Sequence, residues 1–203
     1  MSTRTLSGTS QSRGLRSVWA TEETGIDSTH GPTHYFNDSK TPEYLAVNPN
    51  GRIPALVDGD LVLFESMAIN LYLTKHYGGD LYPSNPAEEA QAWQWSVWAI
   101  SEIEPLQMQV VVQRMFTPKD ERDESVINNA LESLERPLQV LDAHLSDRAN
   151  LLGDRFTVAD INLAGVMNLM QAVKIDCSRH ENVQRWRDAC YARPALARAQ
   201  ARD

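Results

Sequence analysis

The sequence predicts an α/β half followed by an all-α half. Three observations carry this. Between Asn48 and Ile69 the stretch NPNGRIPALVDGDLVLFESMAI reads as two short strands about a turn, then changes to helical spacing. Around residues 79–86 the chain is broken by glycine, proline and polar residues, GDLYPSNP, the composition of a linker. Beyond it the apolar spacing is helical throughout. The boundaries drawn from these signals are 1–78, a linker at 79–86, and a helical domain over 87–203.

Composition narrows the function. A chain of 203 residues can bury a core without staples. Its formal net charge of -8 speaks against a nucleic-acid partner. The two cysteines, Cys177 and Cys190, read as small buried hydrophobes, so no disulfide framework is expected and a reducing, cytoplasmic setting fits. The opening MSTRTLSGTSQS has no apolar core of the kind a signal peptide needs, and no apolar run approaches membrane-spanning length.

The elements follow in order. Thr3 to Ser7 is a short strand with one large apolar residue, Leu6, and residues 8–12 form a polar turn. Leu15, Val18 and Trp19 have helical spacing, and Gly25 stops that helix. Ser28 to Asn37 reads as a poor strand running into loop, and Thr41 to Val47 as a short helix with Pro42 at its first position. Ile53-Pro54 opens the next strand, Asp58-Gly59-Asp60 turns it, Leu61 to Phe64 returns, and Glu65-Ser66 starts a helix ending near Tyr77.

In the second half a long helix runs from Glu88 to about Phe116, bent at Pro105. Its Trp93, Val97 and Ile100 share one stripe; Trp95, Trp98 and Glu102 share the next. Either all three tryptophans are core, or one stripe lines a hydrophobic pocket. Ile127, Leu131, Leu134, Leu138, Leu141 and Leu145 mark a second long helix, with a kink expected at Pro137. Thr157 and Asp160 form a capping box, in which Asp replaces the usual Glu or Gln, before a helix that is apolar on nearly every face. Two more helices are read at Glu181–Ala192 and Pro194–Ala201.

One stretch suggests chemistry. Pro54 at the mouth of a strand cannot donate to the ladder, and a cis X-Pro bond is one way to place it. The residue before it, Ile53, then shows its backbone N–H and C=O to a ligand. Ser66 at a helix N-terminus offers free N–H groups and a hydroxyl to a carboxylate. Separately, Pro54 reads as a turn residue and Ser66 as an N-cap; together they make a site for a short extended peptide bearing an acid group.

NPNGRIPAL followed by FESMAINLYL resembles the glutathione-binding half of the cytosolic glutathione S-transferases. The strand and helix order, with its proline before the third strand, resembles the thioredoxin-like fold. The element RFTVADI resembles the capping motif of the transferase C-terminal domain. The resemblance therefore spans nearly the whole chain. It implies a thioredoxin-like N-terminal domain and an all-helical glutathione transferase C-terminal domain.

It also implies a reaction, thiolate attack on a small hydrophobic electrophile, with glutathione as co-substrate. A free thiol titrates near about 8.5, so only about 3% is thiolate at pH 7. Lowering that value by roughly two units requires about 2.7 kcal/mol of differential stabilisation. Hydroxyl and helix-terminus hydrogen bonds can supply energy of that order. The family takes the hydroxyl from a Tyr or Ser after the first strand, and some members use Cys. Here TSQSRGLR resembles the serine-type, theta- or beta-like bacterial members, with Ser10 first and Ser12 second as the catalytic hydroxyl.

By the same resemblance, Ile53 pairs its backbone with the cysteinyl unit beside Pro54, Ser66 binds the γ-glutamyl carboxylate, and Glu65 its ammonium. Arg52 and Lys40 meet the glycyl carboxylate, with Asn50 and Arg13 as further candidates. Arg16 and Lys40 also read as solvated surface charges. Trp98 and Glu102 are the candidates for an electrophile pocket between the domains. A twofold homodimer joined through the helices that begin at Glu65 and near Glu88 is expected, and no membrane partner.

No metal site is read, because Gly31-Pro32 breaks any helix between His30 and His34. No nucleophile-elbow pattern supports serine-hydrolase chemistry. Two rivals remain. A maleylacetoacetate-type isomerase would carry S-S-C before the helix, and Gln11 stands in place of the Cys. A non-catalytic protein of the same fold is the other.

Overall fold

The computed structural model describes residues 4–202; Thr3, expected in the first strand, lies outside them. In chain order come β1 (Arg4–Ser7), α1 (Leu15–Thr24), β2 (Thr29–Gly31), α2 (Pro42–Leu45), β3 (Ala55–Asp58), β4 (Leu61–Phe64) and α3 (Ser66–Tyr77). Then follow α4 (Pro86–Trp98), α5 (Glu104–Val111), α6 (Glu124–His144), α7 (Val158–Ala172), α8 (Glu181–Tyr191) and α9 (Pro194–Gln200). Two compact units result. Ala87–Tyr191 is one; residues up to Pro86 and those from Ala192 onward make the other. Residues 192–202, expected with the helical domain, thus group with the sheet.

In the first unit the sheet order is β2-β1-β3-β4. β1 pairs parallel to β2 and antiparallel to β3, and β3 pairs antiparallel to β4. α1 ends where Gly25 adopts φ 66, a left-handed conformation that glycine enters without steric cost, and its N–H caps the Thr21 carbonyl. Thr41 caps α2 by accepting from the Tyr44 N–H, with Pro42 in the first turn. Leu6, Leu56, Val18, Trp19, Ile69 and Leu73 are buried, so the sheet, α1 and α3 share one apolar core.

The far ends of β1 and β3 are tied by Asp58. Its Oδ2 accepts from Arg4 Nε at 3.2 Å, Tyr72 Oη at 3.0 Å and Tyr77 Oη at 2.7 Å, and the Arg4 guanidinium stacks over the Tyr77 ring. Burial pushes this carboxyl up, but hydrogen bonds from Tyr77 and Tyr72 and the charge of Arg4 outweigh it, leaving the group below its usual value. The same burial and the Asp58 charge push the Tyr72 phenol up.

In the second unit the long helix expected over 88–116 is not uniform. Between α4 and α5 the residues Ala99–Ile103 form a π-helical turn, in which the Glu104 N–H reaches back five residues to the Ala99 carbonyl. Pro105 has no N–H to return to the Ser101 carbonyl, so the ladder widens there. A second π turn, Val112–Phe116, ends the segment. α6 runs from Glu124 to His144 with Pro137 inside it, capped by Asp123, whose Oδ1 accepts from the Ser125 and Val126 N–H groups. α7 is buried on every face from Val158 to Met167 and is the centre of this unit.

The short arm of Asp160 reaches its cap. Oδ2 accepts from the Thr157 N–H at 2.9 Å and the Thr157 hydroxyl at 3.2 Å. Oδ1 accepts from the Leu151 N–H at 2.9 Å and Trp186 Nε1 at 2.8 Å. The residue therefore joins the start of α7 to the preceding loop and to α8. Burial pushes its carboxyl up, against four hydrogen bonds that favour the charged form.

Thr157→Ala is expected to cost about 1 kcal/mol, a lost cap. Asp160→Ala strands buried donors on Leu151, Thr157 and Trp186, each worth roughly 1–3 kcal/mol, and should lower the melting temperature much further. Calorimetric melting of both variants checks the ranking; equal losses would mean that Asp160 only caps. Asp58 supplies a pH test. Its folded value lies below its unfolded one, so its contribution is present above the ordinary carboxylate range and is lost as pH falls through the folded value. Denaturation against pH should show a shallower acid decline in Asp58→Asn than in the parent.

Candidate active site

Strand register brings the candidate residues together. Ser7, the last residue of β1, pairs with Ala55, the first of β3, and Ala55 pairs with Phe64, the last of β4. Ser7 also pairs with Gly31 at the end of β2. One end of the sheet therefore presents the turn after β1, Ile53-Pro54 before β3, Glu65-Ser66 after β4 and the loop after β2. The Ile53-Pro54 bond is cis. Gly8 sits so near that a Cβ on it would lie 3.6 Å from Pro54 Cα and 3.3 Å from Gly14 Cα, at φ 146.

The N-terminus of α3 opens at this end. Ser66 is its first residue and is buried. Glu65, before it, is exposed and holds φ 74, a conformation that costs a non-glycine residue about 1–3 kcal/mol. At that residue the chain turns abruptly from β4 into α3, which sets the first turn of α3 at the sheet end.

The loop between β2 and β3 is fixed by side chains bonding to backbone. Ser39 Oγ donates to the Gly51 carbonyl at 2.9 Å, and Lys40 Nζ donates to that same oxygen. Gly51 is at φ 57, and a Cβ there would stand 3.0 Å from the Ser39 carbonyl, so only glycine fits. Tyr44 Oη and Asn48 Nδ2 both donate to the Arg52 carbonyl, at 2.8 and 2.7 Å. Asn48 Oδ1 accepts in turn from the Asn50 backbone and amide. Burial pushes the Tyr44 phenol up to about 12, against the Asn48 hydrogen bond. Tyr44 packs with Ile53 and Ala55, so the Ile53 side chain is anchored while its backbone stays at the sheet end.

Arg52, Asn50 and Lys40 are exposed on this loop, and Lys40 also lies over the Tyr35 ring at 4.7 Å. Asn48, the Gly51 carbonyl and Tyr44 are the support that sequence reasoning passed over; the local signal for them is the NPNG turn itself.

In the turn after β1 the two serines differ. Ser12 Oγ donates to the Thr9 carbonyl at 2.8 Å and accepts from the Gly14 N–H at 3.0 Å, closing the turn that precedes α1. Ser10 is buried, with its Oγ 3.5 Å from the Gln200 carbonyl. Arg13 is exposed. Arg16, expected at the surface, is instead 3% exposed within α1, and its carbonyl accepts from Asn70 Nδ2 at 3.2 Å on α3.

The tryptophan stripes separate. Trp95 is buried, Trp98 is half-buried with its ring edge-on to Trp95 at 5.1 Å, and Glu102 is exposed in the π turn. Trp93, Val97 and Ile100 are exposed, so the three tryptophans are not all core. The helical unit has an open cleft lined by Arg114, Arg122, Ile127 and Lys174 among others; neither Trp98 nor Glu102 lines it. Among the described residues no group of three or more His, Cys, Asp or Glu side chains could hold a metal ion.

Comparison with known proteins agrees with this architecture. The family model for the glutathione S-transferase N-terminal domain matches residues 1–75, and that for the C-terminal domain matches residues 103–194. Glutathione S-transferase 3 of Zea mays is 36% identical over 92% of this chain and 88% of its own. The chain belongs to the glutathione S-transferase family. Glutathione S-transferase GstB of Escherichia coli is 33% identical over 79% of each chain. Among solved structures, the theta class glutathione S-transferase of Xanthomonas axonopodis pv. citri, with glutathione bound, is 34% identical, with a TM-score of 0.91 over 100% of this chain and 99% of that one. A glutathione transferase of Burkholderia graminis, with two glutathione molecules bound per subunit, is 30% identical, with a TM-score of 0.90 over 99% of this chain and 88% of that one.

Proposed function

We propose that this transferase binds glutathione at the sheet end described above and conjugates its thiolate to a small hydrophobic electrophile. The observation that carries the reading is the register Ser7–Ala55–Phe64, which gathers the Ile53 backbone, the α3 N-terminus at Ser66 and the β1–α1 turn at one edge. Ile53 pairs with the cysteinyl unit as an added strand does. Ser66 and the α3 N–H groups take the γ-glutamyl carboxylate, and Glu65 the ammonium beside it. Arg52 and Lys40, with Asn50, face the glycyl carboxylate, and Arg13 adds positive potential in an acidic chain.

Ser10 is the hydroxyl assigned to the sulfur. Ser12 has given its proton to the Thr9 carbonyl and an acceptor site to Gly14, so moving it would open the turn. The thiol proton leaves to solvent and the Ser10 O–H donates to the resulting thiolate. The sulfur lone pair then forms the S–C bond as the leaving group departs with its electron pair. Gln11 in place of a cysteine sets this reading above the isomerase type. Two buried cysteines outside any disulfide accord with a cytoplasmic setting.

One set of titrations tests this. Calorimetry with glutathione should show Ser66→Ala weakening binding by about 1.5–3 kcal/mol at a nearly unchanged melting temperature. Thiolate absorbance of bound glutathione against pH should shift upward in Ser10→Ala, with slower turnover of an activated aryl chloride near neutral pH, and shift less in Ser12→Ala. A larger shift in Ser12→Ala would exchange the two roles; no shift in either would leave activation to backbone N–H groups and Arg13.

The second part of the proposal is a twofold homodimer. On α3 the apolar set is wider than the buried face, with Leu71 and Tyr72 half-buried beside buried Ile69 and Leu73. On α4 and its π turn Trp93, Val97 and Ile100 are exposed, and the edge strand β4 shows Leu61, Val62 and Phe64. Such apolar surface is what a second copy would cover. Sedimentation at micromolar concentration should give twice the monomer mass; monomer alone would overturn it.

A further inference from the structure

The Gln200 carbonyl that Ser10 Oγ approaches belongs to the last residue of α9, and one carboxylate pairs with arginines on either side of that residue. Glu22, in the last turn of α1, accepts Arg198 Nε on Oε2 at 2.8 Å and Arg202 Nε on Oε1 at 2.7 Å. These arginines stand two residues before and two residues after Gln200. Just before α9, Arg193 is taken by Glu23 in a two-pronged ion pair at 2.6 and 2.7 Å, and Glu23 also accepts from Trp19 Nε1 at 2.9 Å. Packing alone would hold α9 to α1 through its buried Ala195, Leu196 and Ala199. A carboxylate paired with arginines on both sides of a single residue is placed to restrain the backbone between them.

We propose that Glu22 is a positioning residue that holds the Gln200 carbonyl as a competing acceptor for the Ser10 proton, restraining thiolate formation at the site. The inference rests on Ser10 being the hydroxyl that serves the sulfur. A hydroxyl has one proton, so what it gives the carbonyl it withholds from the thiolate. The negative end of the carbonyl dipole near the sulfur acts in the same direction. Arg198 and Arg202 are partly exposed, so salt weakens their grip and eases the restraint.

Two ways of loosening the grip separate this from simple charge effects. Glu22→Gln removes a negative charge, which by Coulomb's law alone would favour the thiolate. The double variant Arg198→Ala, Arg202→Ala removes two positive charges, which alone would disfavour it. Release of the carbonyl predicts the same sign for both. The thiolate absorbance of bound glutathione is measured against pH in each variant, in the full-length protein, alongside its melting temperature. The expected result is a rise of about twofold in the thiolate fraction below the thiol pKa in both variants. No rise is expected when either is combined with Ser10→Ala.

A fall or no change in the arginine double variant overturns the proposal, as does a rise that survives Ser10→Ala. If Ser10→Ala by itself leaves the titration unmoved, the assignment of Ser10 has failed and this inference fails with it. If Ser10→Ala moves the titration and neither loosened variant does, the assignment stands and only the role of Glu22 is wrong.

Discussion

The pairing of Ser7 with Ala55 and of Ala55 with Phe64 is the constraint on which the rest of the first unit depends. Pro54 has no N–H, so the ladder cannot extend past Ala55 on that side. The sheet ends there, and the chain leaves β1, β2 and β4 at that end, while the β3–β4 turn lies at the other. A slip of one residue would turn Leu56 from the core to the opposite face and carry Ile53 out of its contact with Tyr44. Register here is set by burial, and the site inherits its precision from the core.

What surrounds that edge is built from backbone held by side chains. The Gly51 carbonyl receives Ser39 and Lys40, and the Arg52 carbonyl receives Tyr44 and Asn48. Each of these carbonyls lies just before Ile53, so the segment reaches β3 already immobilised. A ligand that pairs with an ordered strand end avoids the entropy of ordering it. The strain at Glu65 has the same meaning on the other side of the site, because the core beneath α3, with Ile69 and Leu73 fully buried, holds the residue where its own preference would not.

Most of this was legible in the sequence because the signals were local. The 58–60 turn, the Gly25 stop, Pro42 at a helix start and the Thr157–Asp160 box depend on residues a few positions apart. What escaped depends on distance along the chain. Arg16 looks like a surface charge on an amphipathic helix, yet it is buried, and its carbonyl meets Asn70, 54 residues further on. Trp186 gives no sign in its own segment of the Asp160 carboxylate 26 residues away. The return of residues 192–202 to the sheet unit is invisible to periodicity, since an apolar face on α9 says that the helix is covered but not by what. The two tryptophan stripes were separable by spacing; which one lies inward was not.

The energetics of activation explain why the two serines had to be told apart by their bonds. Moving a thiol from about 3% to mostly ionised takes about 2.7 kcal/mol. A neutral hydrogen bond contributes about 0.5–1.5 kcal/mol net, and one to a charged group about 1.5–3. One hydroxyl therefore covers much of the requirement only if its proton is available to the sulfur. Ser12 forfeits that by closing the turn through Thr9 and Gly14. In the proposed mechanism that role goes to Ser10, whose contact with the Gln200 carbonyl, at 3.5 Å, is longer than either bond made by the Ser12 hydroxyl. In the proposal the remainder comes from the N–H groups of the turn and the positive charge of the Arg13 side chain. Under the proposal, position in the turn, set by the register of β1 against β3, is thus the first requirement, and the bonds by which Ser12 closes that turn set it apart from Ser10.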